Sequence, residues 1–287
     1  MKNIRISNKY GSVTLSGNGN ESFSVTEVAG LGLPGLTLNS VSFAGHEGRE
    51  TVSASRDFRT ITIKGDVKGE YKDFNVRKFL KILSEPVILK VFSGNRTRCA
   101  ECRCTNADIP FGKKAFYKTF VIQLECDSPY FLGEHQEEKY ISKAADFLPL
   151  DYNAYFENTT KFISERITRA DVINNGDVPA EPIITIMNTE GVAVSANGLL
   201  ILNHSTGAIL KFDYQTTPGE VIEINIPKRT VTSSLNTDML DFLADECYLS
   251  DFILKEGNND IELIPNDSGE KLSAYVKFNL RYLEAMD

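Results

Sequence analysis

The chain has 287 residues, a formal net charge of −8, and 41% hydrophobic and 10% aromatic residues. At roughly 100–200 residues per domain this predicts two domains with real apolar cores, and it excludes bulk disorder. No run of about 18 apolar residues occurs, so no helix is expected to cross a membrane, and the acidic balance argues against a nucleic-acid binder.

The charge is split. Residues 1–130 carry 19 Lys and Arg against 13 Asp and Glu, whereas residues 131–287 carry 12 against 26. A basic half followed by an acidic half again predicts two domains. The start, Met1-Lys2-Asn3-Ile4-Arg5, leads into polar residues without an apolar stretch, so no cleavable secretion signal is expected. Reduced thiols are then the default for the five cysteines.

Apolar residues recur with period two. Strands are expected over residues 4–7, 11–16, 21–27, 59–65, 87–93, 97–104 and 116–125. One segment departs from this. Val76, Phe79, Leu80 and Leu83 recur at helical spacing, with Lys72, Asp73, Arg77, Lys78 and Lys81 filling the other side. An amphipathic helix is expected over residues 71–84, stopped before Pro86. The boundary is set near residue 135, because residues 133–139 are polar and read as an exposed connection. The expected domains are residues 1–135 and 136–287.

Beyond the boundary, residues 159–171 fit a helix or a strand. Strands follow over 182–187, 192–195, 199–203, 208–214, 222–226, 247–254 and 260–264, with a short helix over 238–244. The last run is the clearest. Leu272, Ala274, Val276, Phe278 and Leu280 alternate with Ser273, Tyr275, Lys277 and Asn279. Asn174-Asn175-Gly176-Asp177, Asn197-Gly198 and Thr217-Pro218-Gly219 supply tight reversals. The fold expected from this pattern is mainly β, as sandwich or barrel.

Catalytic chemistry is sparse, and no catalytic residue is nominated. Gly30-Leu31-Gly32-Leu33-Pro34-Gly35 matches a dinucleotide fingerprint in letters only. No helix N-terminus follows to meet a pyrophosphate, so a loop or hairpin is expected there. His46, His135 and His204 fall in no zinc-protease pattern, and no Gly-x-Ser-x-Gly elbow occurs. Cys99, Cys102, Cys104 and Cys126 are the candidate thiolates for a metal. Along a strand, however, Cys102 and Cys104 face one way and Cys99 the other, so buried thiols are the alternative. Tyr152, Tyr155, Phe156, Tyr214 and Tyr248 are candidate platforms for sugar stacking, and core packing is the competing role. No cofactor is expected.

Several ordered segments resemble one family. They are Gly45-His46-Glu47-Gly48-Arg49, Phe58-Arg59-Thr60-Ile61-Thr62-Ile63-Lys64-Gly65, the helix, Ala100-Glu101, and Gln123-Leu124-Glu125-Cys126-Asp127-Ser128-Pro129-Tyr130-Phe131. In the second half they are Asn174-Asn175-Gly176-Asp177-Val178-Pro179-Ala180-Glu181-Pro182, Ile224-Asn225-Ile226-Pro227 and Tyr282-Leu283. This set resembles the siphophage distal tail (Dit-like) protein family over nearly the whole chain. The resemblance implies an N-terminal β-sandwich or barrel with one helix, and a C-terminal galectin-like, carbohydrate-module-like β-sandwich. It implies a structural protein of a phage or prophage tail tip, not an enzyme, that forms a ring, commonly a hexamer. Its partners would be other copies of itself, the tail tube, the tape-measure protein and the tail-tip or receptor-binding proteins. Assembly would occur in the bacterial cytoplasm. Leu31, Leu33 and Leu36, in a Gly-rich apolar stretch, are the expected ring contact. The alternative is a carbohydrate-binding module attaching to host glycans.

Overall fold

The computed structural model describes residues 3–17, 22–45, 47–109, 116–142, 147–148, 162–163, 168–188, 199–265 and 272–285. The chain is mainly β and divides into two compact units, Met1–Glu134 with Arg281–Asp287, and His135–Leu280. Among the described residues no helix is long and apolar enough to cross a membrane.

In the first unit, β1 (Asn3–Asn8) and β2 (Gly11–Ser16) form a tight hairpin. The Asn8 side chain accepts the Tyr10 N–H and closes the turn. β3 (Phe23–Ala29) leads through β4 (Thr37–Val41) and β5 (Glu50–Ser55) to β6 (Arg59–Lys68). The helix α1 (Lys72–Leu83) follows, then β7 (Val87–Ser93), β8 (Arg96–Asp108) and β9 (Tyr117–Cys126). The pairing order β8, β7, β1, β2, β3, β6, β9 returns from β9 to β8, so the sheet closes on itself as a barrel. Among the described residues β2 joins β3 through the parallel pair Ser16–Ser24.

The alternation read from the sequence is what fills the barrel. Ile61, Ile63 and Val67 on β6 and Phe120, Ile122 and Leu124 on β9 are buried. The helix buries Phe79, Ile82 and Leu83 against them. The Phe79 ring meets Phe23 and Phe120 edge-on, at centroid distances of 5.2 and 5.5 Å. Gly65 makes this possible. It lies opposite Phe120, and a Cβ there would stand 2.2 Å from the Ser24 carbonyl oxygen and 2.6 Å from the Phe120 ring. The missing side chain lets the ring lie across the strand.

Residues 133–139, read from the sequence as an exposed connection, belong instead to β10 (Phe131–Ser142). Its first residues continue the ladder of the first unit, Leu132 opposite Cys99 and Gly133 opposite Arg98. Residues 134–140 are exposed, so the strand buries no regular face there and carries no period-two signal. Residues 281–287, assigned from the sequence to the second domain, cluster with the first unit.

The second unit contains a short pair, β11 (Phe147–Leu148) and β12 (Phe162–Ile163), and two larger sheets. One carries β13 (Arg169–Asn174), β19 (Gly257–Pro265), β15 (Leu199–Asn203) and β16 (Ala208–Phe212), in that order. The other runs β18 (Thr230–Ser233), β17 (Val221–Asn225), β14 (Ile183–Asn188), β20 (Leu272–Tyr282) and β10. Ile184, Ile186, Ile224 and Val276 of one sheet share a core with Ile201, Phe212, Ile261 and Leu263 of the other. The polar part of β10 is held by cross-strand pairs with β20. Tyr140 meets Tyr275 edge-on at 5.8 Å, and Lys277 Nζ lies 3.1 Å from Glu138 Oε2.

Asparagines at strand ends set the loops of this unit. Asn174 donates to the Val178 and Leu254 carbonyls and accepts the Gly176 N–H, organising the 174–182 turn. Asn203 and Asn259 are fully buried and bind loop main chain at Ile253, Ser205, Lys255 and Gly257. The segment expected as a strand over 247–254 is a loop with one 3-10 turn, Leu249–Asp251, pinned by buried Phe252 and Leu254. Its apolar run packs into the core without pairing along its length. The expected short helix over 238–244 is a 3-10 turn, Leu240–Phe242. The expected strand at 192–195 lies outside the described residues.

Candidate assembly surface

β3 ends at Ala29 and the chain leaves the barrel at Gly30. Gly30 has φ +89°, and a Cβ there would meet the Thr60 carbonyl oxygen at 2.1 Å, so only glycine fits this exit. Leu31 then turns inward and is 3% exposed, within the barrel core. This corrects the expectation that Leu31, Leu33 and Leu36 form one surface. The core takes Leu31 because the turn at Gly30 points it there. Leu33 is 71% exposed and Leu36 about half exposed.

β4 and β5 form a two-stranded hairpin that pairs with no other strand among the described residues. Every residue in both strands is exposed. Leu38, Val41 and Phe43 lie along it with Val52, which is 69% exposed, and Phe58 follows at its base. Between residues 33 and 55 only Glu47, Arg49 and Glu50 are charged. An isolated two-stranded hairpin is marginal in water. An exposed apolar patch poor in charge has the composition of a protein interface core.

The base of this arm is built around Arg59, a guanidinium only 3% exposed. Its Nη1 donates to the carbonyls of Gly30 at 2.7 Å and Gly32 at 2.6 Å. Its Nε donates to Pro129 at 2.8 Å and its Nη2 to Leu283 at 2.7 Å. The guanidinium also lies 4.3 Å from the centre of the Phe131 ring. Burial lowers its pKa to about 10, so it is charged at neutral pH and its donors must be satisfied. Sequence patterning missed this residue. Its only signal was a cation at an inward position of an alternating strand.

The cysteines do not assemble a metal centre. Cys102 and Cys126 face each other across β8 and β9, with Cα atoms 4.1 Å apart, and are joined as a disulfide. This overturns the expectation of reduced thiols for that pair and removes two of the four candidate thiolates. The half-buried Cys99 and Cys104 have thiols pushed up by burial, which favours the protonated form. Among the described residues no group of three or more His, Cys, Asp or Glu side chains is placed to hold a metal.

Tyr214 packs within the second unit. Its ring meets Phe242 edge-on at 4.8 Å and its hydroxyl donates to Glu220 Oε1 at 2.9 Å. Glu220 is buried, and burial alone would raise its carboxyl. Hydrogen bonds from the Thr217 N–H, Ser233, the Tyr214 hydroxyl and the Thr217 hydroxyl outweigh this and hold it below the usual range. Tyr152, Tyr155, Phe156 and His46 lie outside the described residues. Tyr248 is exposed, and His204 pairs with Glu262 at 2.7 Å.

No family model and no curated protein matches the sequence. Among solved structures, SPP1 Dit (gp 19.1) aligns over 98% of this chain and 99% of its own, with a TM-score of 0.67 at 15% identity. The fold is Dit-like. SPP1 Dit is described as a paradigm of the hub adsorption apparatus in phages infecting Gram-positive bacteria. A chain of the phage P2 baseplate, in its activated conformation with Ca, covers 96% of this chain at 14% identity and a TM-score of 0.48.

Proposed function

We propose that this chain is a structural component of a phage or prophage tail tip and forms a hexameric hub ring. In this reading the first unit makes the ring and its hairpin lies on the neighbouring copy. The second unit is a galectin-like sandwich. The ring joins the tail tube and tape-measure protein to tail-tip or receptor-binding proteins. It is assembled in the bacterial cytoplasm and retained in the virion.

The observation that carries this reading is the exposed, charge-poor hairpin of residues 37–55 on a Dit-like fold that extends over almost the whole chain. A hairpin whose strands are exposed throughout among the described residues gains stability from a surface on another chain. Placing it on a different patch of an identical copy is a head-to-tail contact, which makes a ring when the rotation between copies closes and an open filament when it does not. Light scattering after size-exclusion, with negative-stain images of the same peak, tests this. A closed ring near six times 31.9 kDa is the expected result. A monomer at all concentrations, with saturable binding of wall glycans by the protein, would replace it with the carbohydrate-binding reading.

A further inference from the structure

We propose that the C-terminal residues Arg281–Ala285 act as a latch that fixes the root of the exposed hairpin, with Arg59 as the shared pin. The use of the arm in assembly rests on the hub reading; the latch itself does not.

The arm hangs from Gly30-Leu31-Gly32, and its strands pack against nothing else described. Its direction is therefore set by its two roots, these three residues on one side and residues 56–59, ending at Arg59, on the other. Gly32 has open space around it and supplies no steric restraint. The restraint comes from the three consecutive carbonyls, each of which has a fixed donor. Arg59 Nη1 binds those of Gly30 and Gly32, and the Ala285 N–H binds that of Leu31 at 2.9 Å. The Leu283 carbonyl accepts from Nη2 of the same guanidinium. The tail thus holds the root twice, once directly and once through Arg59.

The tail is itself seated. Ala285 is buried and belongs to the same core as Leu31. The Tyr282 ring lies under the Arg98 guanidinium at 3.3 Å, and Arg281 lies 5.9 Å from the Tyr130 ring. Lifting the tail would expose Leu31 on one side and leave a buried guanidinium short of an acceptor. Both effects fall on the root of the arm and on the Arg59 end of β6, where Arg59 pairs with Cys126, and not on the far end of the ladder at Lys64–Val67.

The test is hydrogen exchange read by mass spectrometry on the full chain carrying Ala285→Pro. This substitution removes the N–H that binds Leu31 and keeps the Leu283 carbonyl. Ala285→Gly, which keeps the N–H, is the control for lost packing. The expected result is exchange at least about tenfold faster in residues 28–36 of Ala285→Pro, little change in residues 63–67 and 118–122 at the far end of the β6–β9 ladder, and a smaller effect in Ala285→Gly. Unchanged exchange in residues 28–36 overturns the latch. Equal loosening of the β6 and β9 segments also overturns it, because the tail would then be ordinary core. A loosened root in a protein that never forms rings would retain the latch and defeat the hub reading instead.

Discussion

Leu31, Leu33 and Leu36 sit within one short loop, yet the structure gives them opposite tasks, and serine substitution separates these. Leu31 is 3% exposed. Truncating a buried leucine costs about 2–5 kcal/mol, and a buried hydroxyl without a partner adds about 1–3 kcal/mol. Against a typical domain stability of about 5–15 kcal/mol, Leu31→Ser removes much of what holds the first unit together. Leu33 and Leu36 are 71% and 49% exposed, so each serine changes the stability of the separate chain by no more than about 0.5 kcal/mol. Their effect falls on association. Full burial of a leucine contributes about 1.5–3 kcal/mol, so the exposed fractions of the pair amount to about 2–3.5 kcal/mol per interface. That is a loss of about 30- to 400-fold in the association constant. Urea unfolding followed by circular dichroism measures the first effect, and light scattering over a concentration series measures the second. The reasoning fails if Leu31→Ser unfolds no more readily than Leu33→Ser. It fails equally if the Leu33→Ser/Leu36→Ser protein associates within about threefold of the wild type.

Three further outcomes are expected. Gly65→Ala places a methyl against the Ser24 carbonyl and the Phe120 ring, and should destabilise the first unit by about 1–3 kcal/mol in thermal unfolding. Glu220 has a carboxyl held below its unfolded value, so its contribution is complete above the unfolded pKa and is lost as pH falls through the folded one. Glu220→Gln should therefore flatten the fall in stability at acid pH seen in urea titrations between pH 7 and 3, while lowering stability at pH 7. Thiol titration of the unfolded, unreduced protein should find three free cysteines, Cys99, Cys104 and Cys247, and five after reduction. Reduction should cost about 3 kcal/mol, as expected for the 24-residue separation of Cys102 and Cys126.

Local patterning read some parts of the molecule well. The helix at Lys72–Leu83 was visible because Val76, Phe79 and Leu83 face one side of a single element. The β character of residues 59–65, 116–125 and 272–280 was visible because burying one face of a strand imposes a period of two on its own sequence. β10 was missed where its residues are exposed on both faces, so polar pairs such as Glu138–Lys277 leave no periodic trace. The segment 247–254 misled for the opposite reason. An apolar run can fill a core as a loop, and only its neighbours decide whether it pairs.

The sequence by itself determined that the chain is mainly β, where its helix lies, and that residues 28–40 form an apolar, glycine-rich segment. Those properties follow from residue spacing within each segment. Tertiary structure decided that β9 returns to β8 to close the barrel, that Leu31 is core while Leu33 is surface, and that Cys102 meets Cys126. It also decided that Arg59 gathers carbonyls from Gly30, Gly32, Pro129 and Leu283. These contacts join residues up to 224 positions apart. No local pattern encodes them, because each depends on where the rest of the chain has already been placed.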